Sequence, residues 1–225
     1  MRSFLLALFL FSCAPLAAQN VSPERPGATP RPGVAAGMGV SYLSARDVVD
    51  LVNATAIPGE RVAQFRAVAE FFAAVSYPLN DEWIIKAEYA YLAGSYSVPS
   101  AFGPADFAIT AHLPSVILQY VVAEQGVYNV KLGAGGGYAA GSLTEKYLSL
   151  DDRFSGNGGG AVVEIEANTA FGDNLYAYLG ANLRWSFVGE LVNRASLPPG
   201  RGSGGGGTSL NFFGVGARLG VSYFF

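Results

Sequence analysis

The sequence predicts an all-β protein, an eight-stranded antiparallel up-and-down transmembrane β-barrel. Three observations lead there. Apolar residues alternate with small or polar ones through eight segments; the connections between segments are alternately short and long; and the chain closes on the alternating stretch ARLGVSYFF, ending in Phe225. Successive side chains of a strand point to opposite faces, so each segment has one greasy face and one small or polar face. No segment reaches the roughly 20 apolar residues of a spanning helix. A chain like this crosses a membrane as strands.

In chain order, residues 1–18 read as a secretory signal peptide, with Arg2, an apolar run from Phe4 to Phe11, and small residues at Ala17 and Ala18. Cys13 is the only cysteine, which excludes an internal disulfide and a thiolate metal cluster. It either leaves with the signal or, because LFSC at residues 10–13 resembles a lipobox, is acylated and kept. The proline-rich residues 19–33 form an extended periplasmic tail, and residues 34–225 form one barrel domain. Strands are expected at residues 34–44, 65–77, 82–95, 113–123, 127–141, 160–171, 175–189 and 210–225. Only ARDVVDLVNA, residues 45–54, breaks the pattern, with a helical look.

Residues 78–81, 124–126 and 172–174 make tight turns, whereas residues 45–61, 96–112, 142–159 and 190–209 make long loops. Short connections on one side, long ones on the other and an even strand count describe an up-and-down barrel of the bacterial outer membrane, with both termini beside the short, periplasmic turns. A net charge of −3 gives no basic stripe for nucleic acid. Asp151, Asp152 and Asn157 lack the spacing of an EF-hand loop, and no motif calls for a metal or cofactor.

The faces support a lipid neighbour. Outward sets such as Val34, Ala36, Met38, Val40 and Tyr42, or Leu175 through Leu183 at odd positions, carry no charge. A lipid-facing Arg or Lys at the midplane would cost roughly 2 to 4 kcal/mol. Aromatic residues mark two interfaces: Tyr77, Trp83, Tyr128, Phe171, Tyr223 and Phe225 beside the short turns, and Tyr42, Tyr91, Tyr138, Trp185 and Phe187 toward the long loops. Rings with an apolar body and a polar tip suit headgroup depth.

The inward positions include Glu70, Lys86, Glu88, Lys131, Glu164, Glu166, Arg184 and Arg218, four acids against four bases. An eight-stranded barrel is only wide enough for side chains to fill, and isolated buried charges are too costly to leave unpaired. An ion-pair network is therefore expected to plug the lumen, with Glu164 and Arg184 paired diagonally across neighbouring strands. The alternative is that the network swaps partners as a gate and the barrel is a small-solute or ion channel.

The alternating strands, the connection lengths and the terminal VSYFF resemble the small outer-membrane barrels of the OmpA/OmpX type. The resemblance implies a monomer surrounded by outer-membrane lipid, with Val221, Tyr223 and Phe225 as the assembly signal read by the barrel-assembly machinery. It implies a structural or surface-interaction role through four long extracellular loops, toward an extracellular ligand of unspecified identity. Some barrels it resembles modify lipid A with a His, a Ser and a carboxylate. Here the only histidine, His112 in TAHLPS, has Pro114 where a His-x-Ser pair needs serine, and Ser115 falls on the opposite face. His112 is expected in a loop or at the rim, and no enzyme is expected.

Overall fold

Alternation of apolar and small or polar residues gives a strand one face for each of two environments, and all eight segments form strands in the computed structural model. The structure describes residues 31–56, 65–100, 103–147, 150–193 and 208–225, so the expected signal segment and most of the tail lie outside the described residues. The elements run β1 (Gly33–Ser44), α1 (Arg46–Thr55), β2 (Phe65–Pro78), β3 (Trp83–Ser100), β4 (Gly103–Gln125), β5 (Tyr128–Tyr147), β6 (Leu150–Ala170), β7 (Leu175–Val188) and β8 (Phe212–Phe224). Each strand pairs antiparallel with the next, and β1 with β8, closing the barrel. Closure abolishes the unpaired edges an open sheet would expose.

The closing seam pairs Gly33 with Phe224 and Ser44 with Phe213. The backbones approach so closely there that a Cβ on Gly37 would lie 2.1 Å from the Leu219 carbonyl oxygen. Both ends of the barrel domain sit with the short turns. In the β2–β3 turn the Asn80 side-chain oxygen accepts from the backbone N–H groups of Glu82 and Trp83, at 2.9 and 2.8 Å.

Two of the four connections expected as long loops are corrected. Residues 96–112 and 142–159 are largely strand: β3 continues to Ser100 and β4 starts at Gly103, while β5 continues to Tyr147 and β6 starts at Leu150. The reason is a two-residue period that persists past the barrel wall. Tyr96, Val98, Phe107, Ile109, Leu143 and Phe154 are buried, whereas their neighbours Ser95, Ser97 and Asp106 are exposed. The four strands therefore rise together as a projecting sheet; nine residues beyond Tyr91 carry β3 about 30 Å along its own direction. The connection carrying α1 and the one between β7 and β8 remain long.

The projecting sheet needs something on its apolar face, and α1 supplies it. Val48, Val49 and Val52 lie on one side of this helix and are buried, while Asp47 and Asp50 face out. That spacing places the valines on a single stripe. With Leu43, Leu92, Leu113, Leu191, Leu210 and Phe212 they form one apolar cluster.

Candidate functional site

The long strands bring eight charged side chains into the lumen, and none of the eight is more than 4% exposed. Arg218, on β8, is central: its guanidinium binds Glu70 of β2 through Nε at 2.9 Å and Glu88 of β3 at 2.8 Å, with Glu164 of β6 at 3.9 Å. Arg184, on β7, reaches Glu88 at 3.0 Å and Glu70 at 4.0 Å. Lys86 of β3 holds Glu88 at 3.1 Å, Glu166 at 3.3 Å and Glu164 more closely still. Lys131, on β5, closes the chain on Glu166 at 2.9 Å. All eight groups thus belong to one connected network.

Neutral side chains donate to three of the four acids. Gln119 Nε2 donates to Glu164 and Glu166 at 2.8 and 2.9 Å, Asn168 donates to Glu166 at 2.8 Å, and the Ser41 hydroxyl donates to Glu70. Added hydrogen bonds of this kind offset the cost of burying ions, and only Glu164 Oε2 and Arg184 Nε among the eight described charged groups lack a hydrogen-bond partner. Space is supplied by glycine: a Cβ on Gly216 would fall within 2.6–2.9 Å of Ser41 Oγ, Asn182 Nδ2 and Glu70 Oε2. Rings pack the gaps, with Arg218 over Phe72, Phe72 against Tyr178, and Lys131 over Phe224.

One expected pairing does not form. Val162 lies opposite Arg184 and Glu164 opposite Asn182, so Glu164 is diagonal to Arg184 as the sequence suggests. The Arg184 guanidinium instead spans the lumen to Glu88 and Glu70, and Glu164 takes Lys86 and Arg218. A long side chain pointing into a narrow ring meets the far wall as readily as its neighbour, and Glu88 offers two oxygens already facing cations.

Sequence reasoning missed the second layer of the lumen. Directly beyond the ion pairs, inward positions become apolar: Ala90, Leu92, Leu113, Ala139 and Phe212 are buried, and α1 lies over them. The signal was available in the inward registers of β3 and β4 and in the valine spacing of α1.

Outside, the aromatic residues fall in two rows on the outer face. Tyr77, Trp83, Tyr128, Phe171, Tyr223 and Phe225 are exposed near the short turns, and Tyr42, Tyr138 and Phe187 are exposed toward the other end. Tyr91 and Trp185 are half-buried there, against His112 and Phe213. Val221 joins Tyr223 and Phe225 on this outer face. His112 is a strand residue of the outer wall, with its Nδ1 2.5 Å from the Tyr89 hydroxyl. Ser115 faces inward, toward Arg184.

No protein-family model matches the chain, and a search of curated proteins returns no significant relative. Solved structures do resemble it. Neisserial surface protein A superposes with a TM-score of 0.55 at 15% identity, over 86% of this chain and 97% of that one. Ail, the attachment invasion locus protein of Yersinia pestis, gives 0.52 at 12% identity, over 87% and 98%. The outer membrane protein OprG of Pseudomonas aeruginosa gives 0.50 at 12% identity, over 88% and 98%. Likeness at such identities is likeness of fold. Water gives no account of an uncharged belt between two rows of aromatic rings, lipid does, and the fold of this chain is that of a small eight-stranded outer-membrane barrel.

Proposed function

We propose that the protein serves the bacterial outer membrane as a closed barrel, with termini and short turns in the periplasm, and acts at the cell surface through its projecting sheet and α1. It is a structural or surface-interaction protein and neither a channel nor an enzyme. The observation that carries this reading is the double filling of the lumen: a connected ion-pair network in one half and an apolar cluster covered by α1 in the other. An aqueous path would have to break both. A rigid scaffold that raises a sheet above the bilayer is also the usual way loops and hairpins come to carry binding. Two of the proteins that share the fold bear the names of a surface protein and an attachment locus.

Planar-bilayer conductance of the refolded protein tests this. The barrel is expected to stay silent, and Arg184→Ala to stay silent too, because the apolar layer still closes the lumen when one ion pair is lost. Discrete, reproducible openings in the unaltered protein would overturn the sealed reading in favour of a gated channel. Openings confined to Arg184→Ala would show that the charges alone hold the lumen shut.

A further inference from the structure

On the outer wall, where the projecting sheet leaves the barrel, lies a recess of about 410 Å³ that the closed lumen does not explain. Its polar lining comes from three adjacent strands: His112 of β4, Tyr138 and Ser142 of β5, and Arg153, Ser155 and Asn157 of β6. Val192 forms the far side, fixed by the backbone pairing of Ser155 with Val192 in both directions. Among the described residues no carboxylate lines it. A cavity furnished with a guanidinium, an imidazole, hydroxyls and an amide, and no acid, is complementary to an anion.

The wall behind the recess is closed. β4 and β5 keep one register from His112 with Ala140 to Ser115 with Gly137, and a Cβ on Gly137 would lie 2.0 Å from the Pro114 carbonyl oxygen. His112 Nδ1 is engaged by the Tyr89 hydroxyl at 2.5 Å, which leaves Nε2 as the ring nitrogen available to a ligand. Arg153 Nη2 lies 3.5 Å from Ser142 Oγ, whose other contact is the Thr110 hydroxyl at 2.7 Å, so the guanidinium is held loosely and retains donors for a ligand.

Depth selects the kind of anion. Tyr138 belongs to the aromatic row, and Ser142 stands four residues above it, about 13 Å along the strand. At the usual barrel tilt that is about 10 Å along the membrane normal, the depth of headgroups. The recess opens sideways from the outer wall, toward neighbouring lipid.

We infer that this recess binds the phosphorylated sugar headgroup of a lipid in the outer leaflet, with Arg153 and His112 as its anion-binding residues. The inference rests on the membrane placement proposed above. To test it, the chain is refolded into phosphatidylcholine nanodiscs doped with diphosphoryl lipid A or with its dephosphorylated form, and the lipid kept through purification is quantified by mass spectrometry. A heat-modifiable band on an unboiled gel certifies each variant as folded. The unaltered protein is expected to retain the phosphorylated lipid preferentially. Arg153→Ala and His112→Ala are each expected to lower retention about tenfold, as loss of a hydrogen bond to a charged group does. Arg46→Ala, exposed on α1, changes nothing. Equal retention of the two lipids, or retention indifferent to Arg153→Ala, overturns the site. Release of the lipid by excess inorganic phosphate assigns the recess to a soluble phosphate and overturns the lipid. A chain that never enters the disc overturns the membrane reading itself, which separates that failure from failure of the site.

Discussion

Between Lys131 and Glu88 the lumen is filled by charges; further along the same strands, between Leu92 and Phe212, it is filled by hydrocarbon. Both fillings exclude water, yet they depend on different things. Apart from Lys86–Glu88 within β3, the ion pairs of the first region join strand to strand, so their geometry is set by the closed barrel. The second region recruits α1 and two residues of the β7–β8 connection, Leu191 and Leu210. Ion pairs demand particular partners at particular distances, whereas hydrophobic contact is non-directional. The charged half therefore belongs to the barrel, and the apolar half couples the barrel to what stands above it.

The comparison breaks most severely at Arg218. Arg218→Ala leaves Glu70 and Glu88 short of their shared cation inside a closed ring, and breaking a buried pair in this way costs about 3–5 kcal/mol. The expected result is a large drop in the urea midpoint of the refolded barrel. A small drop would mean the network fills space without bearing on stability. Val52→Ala probes the other half. It removes two methyl groups from a fully buried site on α1, about 1.6 kcal/mol at roughly 0.8 kcal/mol per carbon. The loss is expected in the protection of α1 from protease, with the barrel's own midpoint nearly unmoved.

The barrel was legible because lipid imposes a strict rule on every second residue. A register slip of one position moves an entire apolar set to the other face, so Val34 to Tyr42 or Leu175 to Phe187 admit one reading. The eight inward charges were legible for the same reason. Their partners were not: whether Arg184 meets Glu164 or Glu88 depends on ring closure and stagger, which no local pattern encodes. The apolar layer hid for another reason. SYSVPS and GPADFAIT carry Pro99, Gly103 and Pro104, residues that signal a loop, although Tyr96, Val98, Phe107 and Ile109 keep the period of a strand. The prolines stand beside the hairpin turn, where a missing N–H is tolerated. The recess beside His112 was illegible because its lining comes from three strands that become neighbours only once the wall is built.

The finest test of the division lies at Ser209, whose hydroxyl donates to Asp47 in the first turn of α1. This bond ties the segment before β8 to the helix without touching the lumen. It is exposed, so its loss in Ser209→Ala should cost only about 0.5–1 kcal/mol, the low end for a hydrogen bond. The backbone pairing of Glu190 with Ser209 remains to hold the segment in place. Amide exchange across residues 48–52 is expected to quicken about two- to fivefold, the factor that energy corresponds to if α1 opens by itself. The urea midpoint of the barrel should not move. If exchange in β1 and β8 quickened by the same factor, α1 and the barrel would be opening together, and the apolar half of the lumen would be as much a part of the barrel as the charged half.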